Sequence, residues 1–280
     1  MTSTAAPSPS ATAAPLPTRL YRYVPLNTDR LCNFVQTGTL RFSDPAKFND
    51  PWDCRPLFDA PPDDRELRAA IAISAIERIC TDERRLSEFG RTELGTAFAD
   101  NAEHFEVAAR GLSAYFQSDL SKAHRILCLA AACDVPLMWS HYAAAHTGVC
   151  LVFDASDRVI RSARAVEYRA AYPAIPEGMT EAEYARYSFF FKADYWAFER
   201  EYRIVARVGA PSPGVDIQSD KRGNVNVSPA ALVGIIRGCR MERPQRAAVA
   251  KLIRRAPHRI ELYQADINHR DYGLTIQRLK

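Results

Sequence analysis

The stretch from Phe189 to Val205 constrains this chain most, because it places two carboxylates at the head of an apolar strand. Glu199 and Glu201 are separated by one residue, and side chains at i and i+2 of a strand point to the same face. If the strand already includes Glu199, both carboxylates form one row with Arg203. Two like charges are expensive to bury side by side, so a cation, a substrate or water must accompany them. The architectural alternative is an ion pair in which Arg203 or Lys192 neutralises the two glutamates.

Length and composition indicate a globular protein without a membrane span. The chain has 280 residues, of which 47% are hydrophobic and 25% are charged. This length suits one large domain or two small ones. A net charge of +4 is a mild excess, so a solvated basic face is the preferred interpretation and nucleic acid is not indicated as a partner. Seven cysteines without a CxxC pair favour reduced thiols in the cytosol over disulfides or zinc.

Residues 1–18 form an Ala-, Ser- and Pro-rich tail that is predicted to be disordered. The tail lacks the basic and apolar regions of a standard export signal, which favours a cytoplasmic protein. A non-cleaved signal for a specialised secretion system, which would deliver the protein into a host cell, fits the same composition. The two interpretations stay open at this point.

Residues 19–280 are predicted to form one α+β domain with a split, mainly antiparallel sheet and a helical insertion at about 63–120. The strands follow from short apolar or β-branched runs, and the helices follow from apolar residues at helical spacing. Strands are predicted at 19–24, 40–42, 125–132, 148–153, 164–168, 199–208, 232–237 and 260–263. Outside the insertion, helices are predicted between about 28 and 38 and at 136–145, 180–196 and 245–255.

A second concentration of functional side chains lies on the predicted helix 136–145. It contains Trp139, Ser140, His141 and Tyr142, with His146 shortly after. Residues five apart do not share a helix face, so a zinc site on the two histidines is disfavoured. Adjacent Ser140 and His141 cannot form the nucleophile–base hydrogen bond of a serine triad. Structural histidines are the alternative to a site on this helix.

The third concentration is the loop 43–54, which is dense in Asp, Asn and Pro. Asn and Asp before Pro favour turns, so the loop side chains could simply cap their own backbone. The functional interpretation is a loop lining a cleft, with Asn49 or Asp50 in contact with a ligand. The chain contains no P-loop, no GxGxxG fingerprint and no GxSxG elbow.

Four spaced motifs resemble those of a large uncharacterised bacterial family. The family pattern runs from an LYRY strand through LxFSxPxxFNDP and MWSHYAxxHxGVCxxFD to KxxxWxxExExR. In this chain the motifs correspond to Leu20–Tyr23, Leu40–Pro51, Met138–Asp154 and Lys192–Arg203. The resemblance covers most of residues 19–240 but carries no activity with it.

The order of these elements also resembles, more distantly, the ADP-ribosyltransferase fold. That resemblance implies that Arg22 or Tyr23 on the first strand holds the nucleotide. A middle strand in the fold tends to read C-F-S, whereas this chain has Cys128–Ala130 without the serine. Ser43 or Ser140 could take its place.

The resemblance implies that Glu201 is the catalytic carboxylate and that Glu199 is its E-x-E partner. Tyr142 or Trp139 would stack on nicotinamide. Cleavage of the nicotinamide–ribose bond develops an oxocarbenium-like cation that a fixed carboxylate stabilises. NAD would be the substrate and no metal would be required. The candidate substrate-binding residues are Arg22, Tyr23, Ser43, Asn49, Asp50, Trp139, Ser140, His141, Tyr142 and Arg203.

Three functions are therefore considered. The first is an NAD-consuming ADP-ribosyltransferase or NAD glycohydrolase acting as a bacterial toxin, phage-defence protein or effector, with an unidentified acceptor. The second is a non-catalytic ligand-binding or protein-interaction module on the same scaffold. The third is a hydrolase or nuclease that uses His141, Asp50 and Glu201.

Overall fold

The fold is mixed α+β, built on one long, mainly antiparallel open sheet. The computed structural model describes residues 15–55, 57–60, 63–79, 87–171, 187–209 and 215–279. In those ranges the α-helices are α1 (Thr28–Thr37), α2 (Arg65–Ile79), α3 (Glu88–Asp100), α4 (Ala102–Ala123), α5 (Pro136–Tyr142) and α6 (Arg243–Arg255). Helices α2 to α4 lie in the region where the helical insertion at about 63–120 was predicted.

The strands in the described ranges number thirteen, of which nine form the main sheet. They are β1 (Arg19–Val24), β2 (Thr39–Arg41), β3 (His124–Ala130), β4 (Val149–Asp154), β5 (Arg164–Ala165), β6 (Glu167–Arg169), β7 (Phe191–Ala193), β8 (Glu201–Val208), β9 (Gln218–Ser219), β10 (Asn224–Asn226), β11 (Leu232–Arg237), β12 (Glu261–Ile267) and β13 (Leu274–Arg278). The main sheet has the order β13-β12-β11-β4-β1-β3-β8-β5, with β9 also on β8. Its β11–β12 and β8–β9 pairs are parallel, and its other pairs are antiparallel.

Local signals account for the start of the domain. The Asn27 side chain accepts a hydrogen bond from the Arg30 backbone N–H and so caps the first turn of α1. Gly38 ends the helix in the left-handed conformation, with φ 74°. A Cβ at Gly38 would lie 2.2 Å from the Val227 carbonyl oxygen, so glycine is also required by the close approach of that chain. The predicted order of strand, helix, glycine and strand is confirmed.

Alternation along the strands gives the sheet two differently covered faces. Leu20, Leu127, Leu151 and Ile204 point to the face covered by α1 and α6 and belong to the largest core cluster. The opposite side chains of β1, β3 and β4 pack against α5, around the fully buried Trp139. Because both faces are covered, the central strands read as nearly continuous apolar runs.

The main sheet opens between β1 and β3. Strand β1 pairs with β4 along its whole length, but its pairing with β3 is confined to Tyr21 and Ala130. Further along β3, Ile126 exchanges two backbone hydrogen bonds with Ser43 instead. The stretch of β3 around Cys128 therefore faces a gap in the sheet rather than a partner strand.

Several predicted boundaries need correction. Residues 180–186 of the predicted helix 180–196 lie outside the described residues, and the remainder is a short helical turn, strand β7 and a 3₁₀-helix at Asp194–Glu199. Gly95 lies within α3, where a Cβ would be 2.3 Å from Ile73 of α2, so glycine at this position allows the two helices to approach closely. Residues 1–14 of the predicted tail lie outside the described residues, whereas Leu16 already packs against the core.

Candidate functional site

The gap between β1 and β3 forms a cavity of about 440 Å³, which we call the sheet-gap cavity. Strand β1, the loop 43–54, β3, α5 and the start of β8 all contribute to its wall. Nine of the twelve candidate residues from the sequence line it: Arg22, Tyr23, Ser43, Asn49, His141, Tyr142, Glu199, Glu201 and Arg203. Residues far apart in the sequence are thus brought to one place.

The expectation that Glu199 and Glu201 lie on one strand is wrong. Strand β8 begins at Glu201, whereas Glu199 ends the 3₁₀-helix at Asp194–Glu199. Arg200 between them has φ 44°, a left-handed conformation that is uncommon for a residue with a Cβ. The bend at Arg200 replaces strand alternation as the reason why both carboxylates reach the same cavity.

Both carboxylates belong to a buried ion-pair network, the charge cluster, formed by Asp53, Lys192, Glu199, Glu201 and Arg203. The Lys192 ammonium lies 2.5 Å from Glu199 Oε2, 3.3 Å from Glu201 Oε2 and 3.6 Å from Asp53 Oδ2. All five residues are buried. Three carboxylates face two cations, so the charge cluster has a formal surplus of one negative charge.

Within the charge cluster, Arg203 links Glu201 to Asp53. Its guanidinium donates from Nε and Nη2 to Glu201, at 2.8 and 2.9 Å. It also donates to both oxygens of Asp53, at 2.7 and 2.6 Å. Paired N–H···O bonds of this kind fix geometry as well as charge. The two cations considered from the sequence as possible counter-ions, Arg203 and Lys192, therefore both pair with the glutamates.

Two tyrosines extend the network to the cavity wall. Tyr142, on α5, donates its hydroxyl hydrogen to Glu199 Oε1 at 2.5 Å. Tyr168, on β6, accepts a hydrogen bond from the Glu201 backbone N–H at 2.7 Å. Tyr142 therefore helps to orient the Glu199 carboxylate, and Tyr168 fixes the backbone that carries Glu201.

The two glutamates have opposite pKa shifts. Burial alone raises the pKa of Glu201, but Arg203 and Lys192 outweigh burial and lower that pKa to about 2. Burial raises the pKa of Glu199, and Lys192 offsets only part of that effect while Glu201 adds to it. Arg203 and Lys192 therefore stabilise the ionised form of Glu201, whereas burial disfavours the ionised form of Glu199.

Two basic side chains, Arg22 and Lys47, also line the cavity. Arg22 lies on β1 and donates to the backbone carbonyl of Arg41 at 3.3 Å. Burial lowers the pKa of Arg22, and the nearby Arg30 adds to that effect. Within the described ranges, no carboxylate lies within ion-pair distance of Arg22. Together with Lys47, Arg22 can attract an anion into the cavity.

Three candidate residues lie outside the sheet-gap cavity. Trp139 is fully buried, and its indole N–H donates to the Cys133 carbonyl at 2.9 Å, so it cannot stack on a ligand. Ser140 lies on the exposed side of α5. Asp50 lines a neighbouring cavity instead, which separates it from the other two members of the predicted His141, Asp50 and Glu201 site.

Helix α5 presents His141 and Tyr142 to the cavity. The ring of His141 lies 6.2 to 6.4 Å from the rings of Tyr142, Phe198 and Trp196. Trp196 in turn lies 5.0 Å from the Lys192 ammonium, which approaches its face. Of these rings, His141 and Tyr142 line the cavity, where aromatic side chains suit a planar ligand or a cation.

Sequence reasoning missed Asp53 and assigned Lys192 only as a possible counter-ion. Asp53 is separated from Arg203 by 150 positions, so no local pattern links them. Cys128 also lines the cavity, although the sequence pattern drew attention only to the absence of a serine in Cys128–Ala130. Burial raises the pKa of the Cys128 thiol well above its usual value, and Glu201 adds to that effect. The signals available were the motif that contains Lys192 and the concentration of acidic residues in the loop 43–54.

Comparisons with known proteins gave no match from which an activity could be inferred. The chain matches no family model, no curated protein and no solved structure. In the described part of the chain, no group of three or more His, Cys, Asp or Glu side chains is arranged to hold a metal ion. None of the helices described combines the length and apolarity needed to cross a bilayer.

Proposed function

We propose that the protein consumes NAD, as an ADP-ribosyltransferase or an NAD glycohydrolase, with Glu201 as the catalytic carboxylate. The observation that carries the proposal is that Arg22, Tyr142 and Glu201 line one cavity. These residues come from the first strand, a middle helix and a late strand. The resemblance to ADP-ribosyltransferases assigns them to the nucleotide, the nicotinamide ring and the reacting ribose.

The charges of the cavity support the proposal, because the diphosphate and the nicotinamide–ribose end of NAD differ in charge. The diphosphate is anionic, and Arg22 and Lys47 are two cations that line the cavity and can contact it. The nicotinamide–ribose end is cationic and becomes an oxocarbenium-like centre as the bond breaks. In this proposal the charge cluster, with its surplus carboxylate, would face the nicotinamide–ribose end. A fixed negative charge next to a developing cation stabilises the transition state.

The rigidity of Glu201 supports the same role. Its carboxylate is held by the Arg203 guanidinium and by Lys192, and its backbone N–H is held by Tyr168. A carboxylate that is already oriented does not need to reorganise during the reaction. Glu199 and Tyr142 complete the wall at which nicotinamide and the acceptor, or water, would meet the ribose.

The proposal is tested by incubating the purified protein with NAD and measuring nicotinamide release by chromatography. We expect Glu201→Gln to reduce release by about 10²–10³-fold, the loss typical of removing one electrostatic contact to a transition state. Glu106→Gln is the control, because Glu106 is exposed on α4, away from the cavity. Circular dichroism of each variant separates loss of chemistry from loss of fold.

Two results would contradict the enzymatic proposal. Equal release by wild type and Glu201→Gln would exclude Glu201 as the catalytic group. No release by wild type, with candidate protein and nucleic-acid acceptors supplied, would favour the non-catalytic binding module. Calorimetry with NAD then tests binding, which Arg22→Met should weaken because that change removes the guanidinium from the cavity.

A further inference from the structure

A second cavity, which we call the arginine cavity, is lined by residues of β1, α1, β2, β4 and β10. Its volume is about 390 Å³. The charged residues of its lining are Arg22, Arg30 and Arg41, and no Asp or Glu is among the described residues that line it. Arg22 also lines the sheet-gap cavity, so the two cavities share this side chain.

The guanidinium of Arg22 is within reach of a ligand. Arg22 alternates with Tyr21 and Tyr23, which pack on the α5 side of the sheet, so its side chain points to the α1 side. Its Nη2 donates to the Arg41 carbonyl at 3.3 Å, which places the guanidinium against β2. In the described part of the chain, Nε and Nη1 have no acceptor, and both retain solvent-accessible surface. A partly desolvated cation with free N–H groups favours an anionic partner.

The other two arginines add positive charge that no neighbouring carboxylate neutralises. Arg30 and Arg41 are exposed, and among the residues that the structure describes neither has a carboxylate at ion-pair distance. Two carboxylates lie close to the lining without belonging to it. Asp29 precedes Arg30 on α1, and Asp220 accepts from the Asn224 side-chain amide at 2.9 Å and from backbone N–H groups of its own turn.

Charge and size together narrow the ligand. A phosphate dianion balances more of the three positive charges than a carboxylate does, and its oxygens match the guanidinium fork. The cavity volume lies within the range of about 300–1,000 Å³ that is usual for small-molecule ligands, so a bare ion would leave most of it empty. Val24, Pro25 and Leu40 are apolar members of the lining, and Val24 and Pro25 have accessible surface for an organic group.

From these observations we propose that the arginine cavity binds a phosphomonoester, with its phosphate on Arg22 and its organic part against the apolar lining. Arg30 and Arg41 supply further positive charge for the same phosphate. The inference does not rest on the proposed NAD chemistry, because Arg30 and Arg41 line the arginine cavity and not the sheet-gap cavity. A free phosphate ion has the same chemistry as the phosphate of an ester, and the experiment separates these two sources.

Phenyl phosphate, benzoate and inorganic phosphate test the proposal by calorimetry at about pH 8 and constant ionic strength. Phenyl phosphate and benzoate carry the same ring but differ in charge and in the number of acceptor oxygens. We expect phenyl phosphate to bind at least about tenfold more tightly than benzoate. It should also bind more tightly than inorganic phosphate, whereas equal affinity would identify free phosphate as the ligand. No binding of either phosphate at millimolar concentration, or equal binding of phenyl phosphate and benzoate, would overturn the proposal.

Substitution of the two exposed arginines locates the bound phosphate. We expect the double variant Arg30→Met, Arg41→Met to bind phenyl phosphate at least about tenfold more weakly, because it removes two of the three cations. Arg41→Lys keeps the charge and should retain more affinity than Arg41→Met. Arg110→Met is the control, because it removes a positive charge from the exposed surface of α4. Unchanged affinity in the folded double variant would refute the site.

Lys47 distinguishes the arginine cavity from the sheet-gap cavity, because it is exposed and lines only the latter of the two. Lys47→Met should leave the affinity for phenyl phosphate unchanged. Weaker binding in Lys47→Met, together with unchanged binding in the double arginine variant, would place the anion in the sheet-gap cavity and overturn the proposal. Absence of nicotinamide release would overturn the proposed function but leave the phosphate result standing, so the two failures can be distinguished.

Discussion

Replacing Lys192 with methionine tests how the charge cluster is held together. The change removes the ammonium but keeps a side chain of similar length in a buried position. Asp53, Glu199 and Glu201 would then share Arg203 as their cation. Three buried carboxylates beside one guanidinium form an arrangement that the folded protein must either neutralise by protonation or hydrate.

The size of the effect follows from the distances. At an effective dielectric constant of about 20, the 3.3 Å contact between Lys192 and Glu201 is a gross attraction of about 5 kcal/mol. Desolvation of the ions offsets much of this attraction, and removing one partner of a buried pair costs about 3–5 kcal/mol net. We therefore expect Lys192→Met to lower the free energy of unfolding by about 3–5 kcal/mol at pH 7.

Urea unfolding followed by tryptophan fluorescence measures this difference. Arg110→Met is the control, because Arg110 and Glu106 form an exposed i, i+4 pair whose loss costs about 0.3–0.5 kcal/mol. The deficit of Lys192→Met should shrink below pH 4.5, as protonation removes the repulsion between the carboxylates. Adding Glu199→Gln to Lys192→Met should recover stability, because it removes an unpaired carboxylate. A loss below about 1 kcal/mol for Lys192→Met would refute the claim that the cluster is desolvated.

Two further predictions concern acid stability and a close backbone contact. The pKa of Glu201 falls from 4.5 to about 2 on folding, so its contribution is complete above pH 4.5 and is lost as the pH falls toward 2. Unfolding experiments across this range should show a shallower loss for Glu201→Gln than for wild type. A Cβ at Gly238 would lie 2.0 Å from the His146 carbonyl oxygen, so Gly238→Ala should cost about 1–3 kcal/mol in urea unfolding. Gly273→Ala, which meets no atom within 4 Å, should leave stability nearly unchanged.

The secondary structure of this protein was largely readable from the sequence, because its signals are local. Apolar runs predicted most strands of the main sheet, and α1 was predicted from its apolar residues and terminal glycine, with Thr28 or Asp29 expected as the cap where the structure has Asn27. Predictions failed where tertiary contacts override local preference. The segment after Phe190 was predicted as helix but forms β7 and a 3₁₀-helix, and β13 was not predicted at all.

The candidate site was only partly predictable. The sequence indicated that two glutamates so close together need a cation, and it contained both Lys192 and Arg203 within a few residues. The partner that completes the network, Asp53, lies in a loop 150 positions away from Arg203. Burial also separated the aromatic candidates, since Trp139 packs in the core whereas Tyr142 reaches Glu199.

By itself the sequence determined most of the strands and helices and the concentration of two glutamates and an arginine near the start of β8. These properties follow from alternation, capping and the cost of burying like charges, which act over a few residues. Tertiary structure alone decided that β1 and β3 diverge, that the resulting cavity gathers acidic and basic side chains from distant parts of the chain, and that Asp50 belongs to a different cavity. Those properties depend on which strands pair and where loops close, and such contacts join residues that no short-range pattern connects.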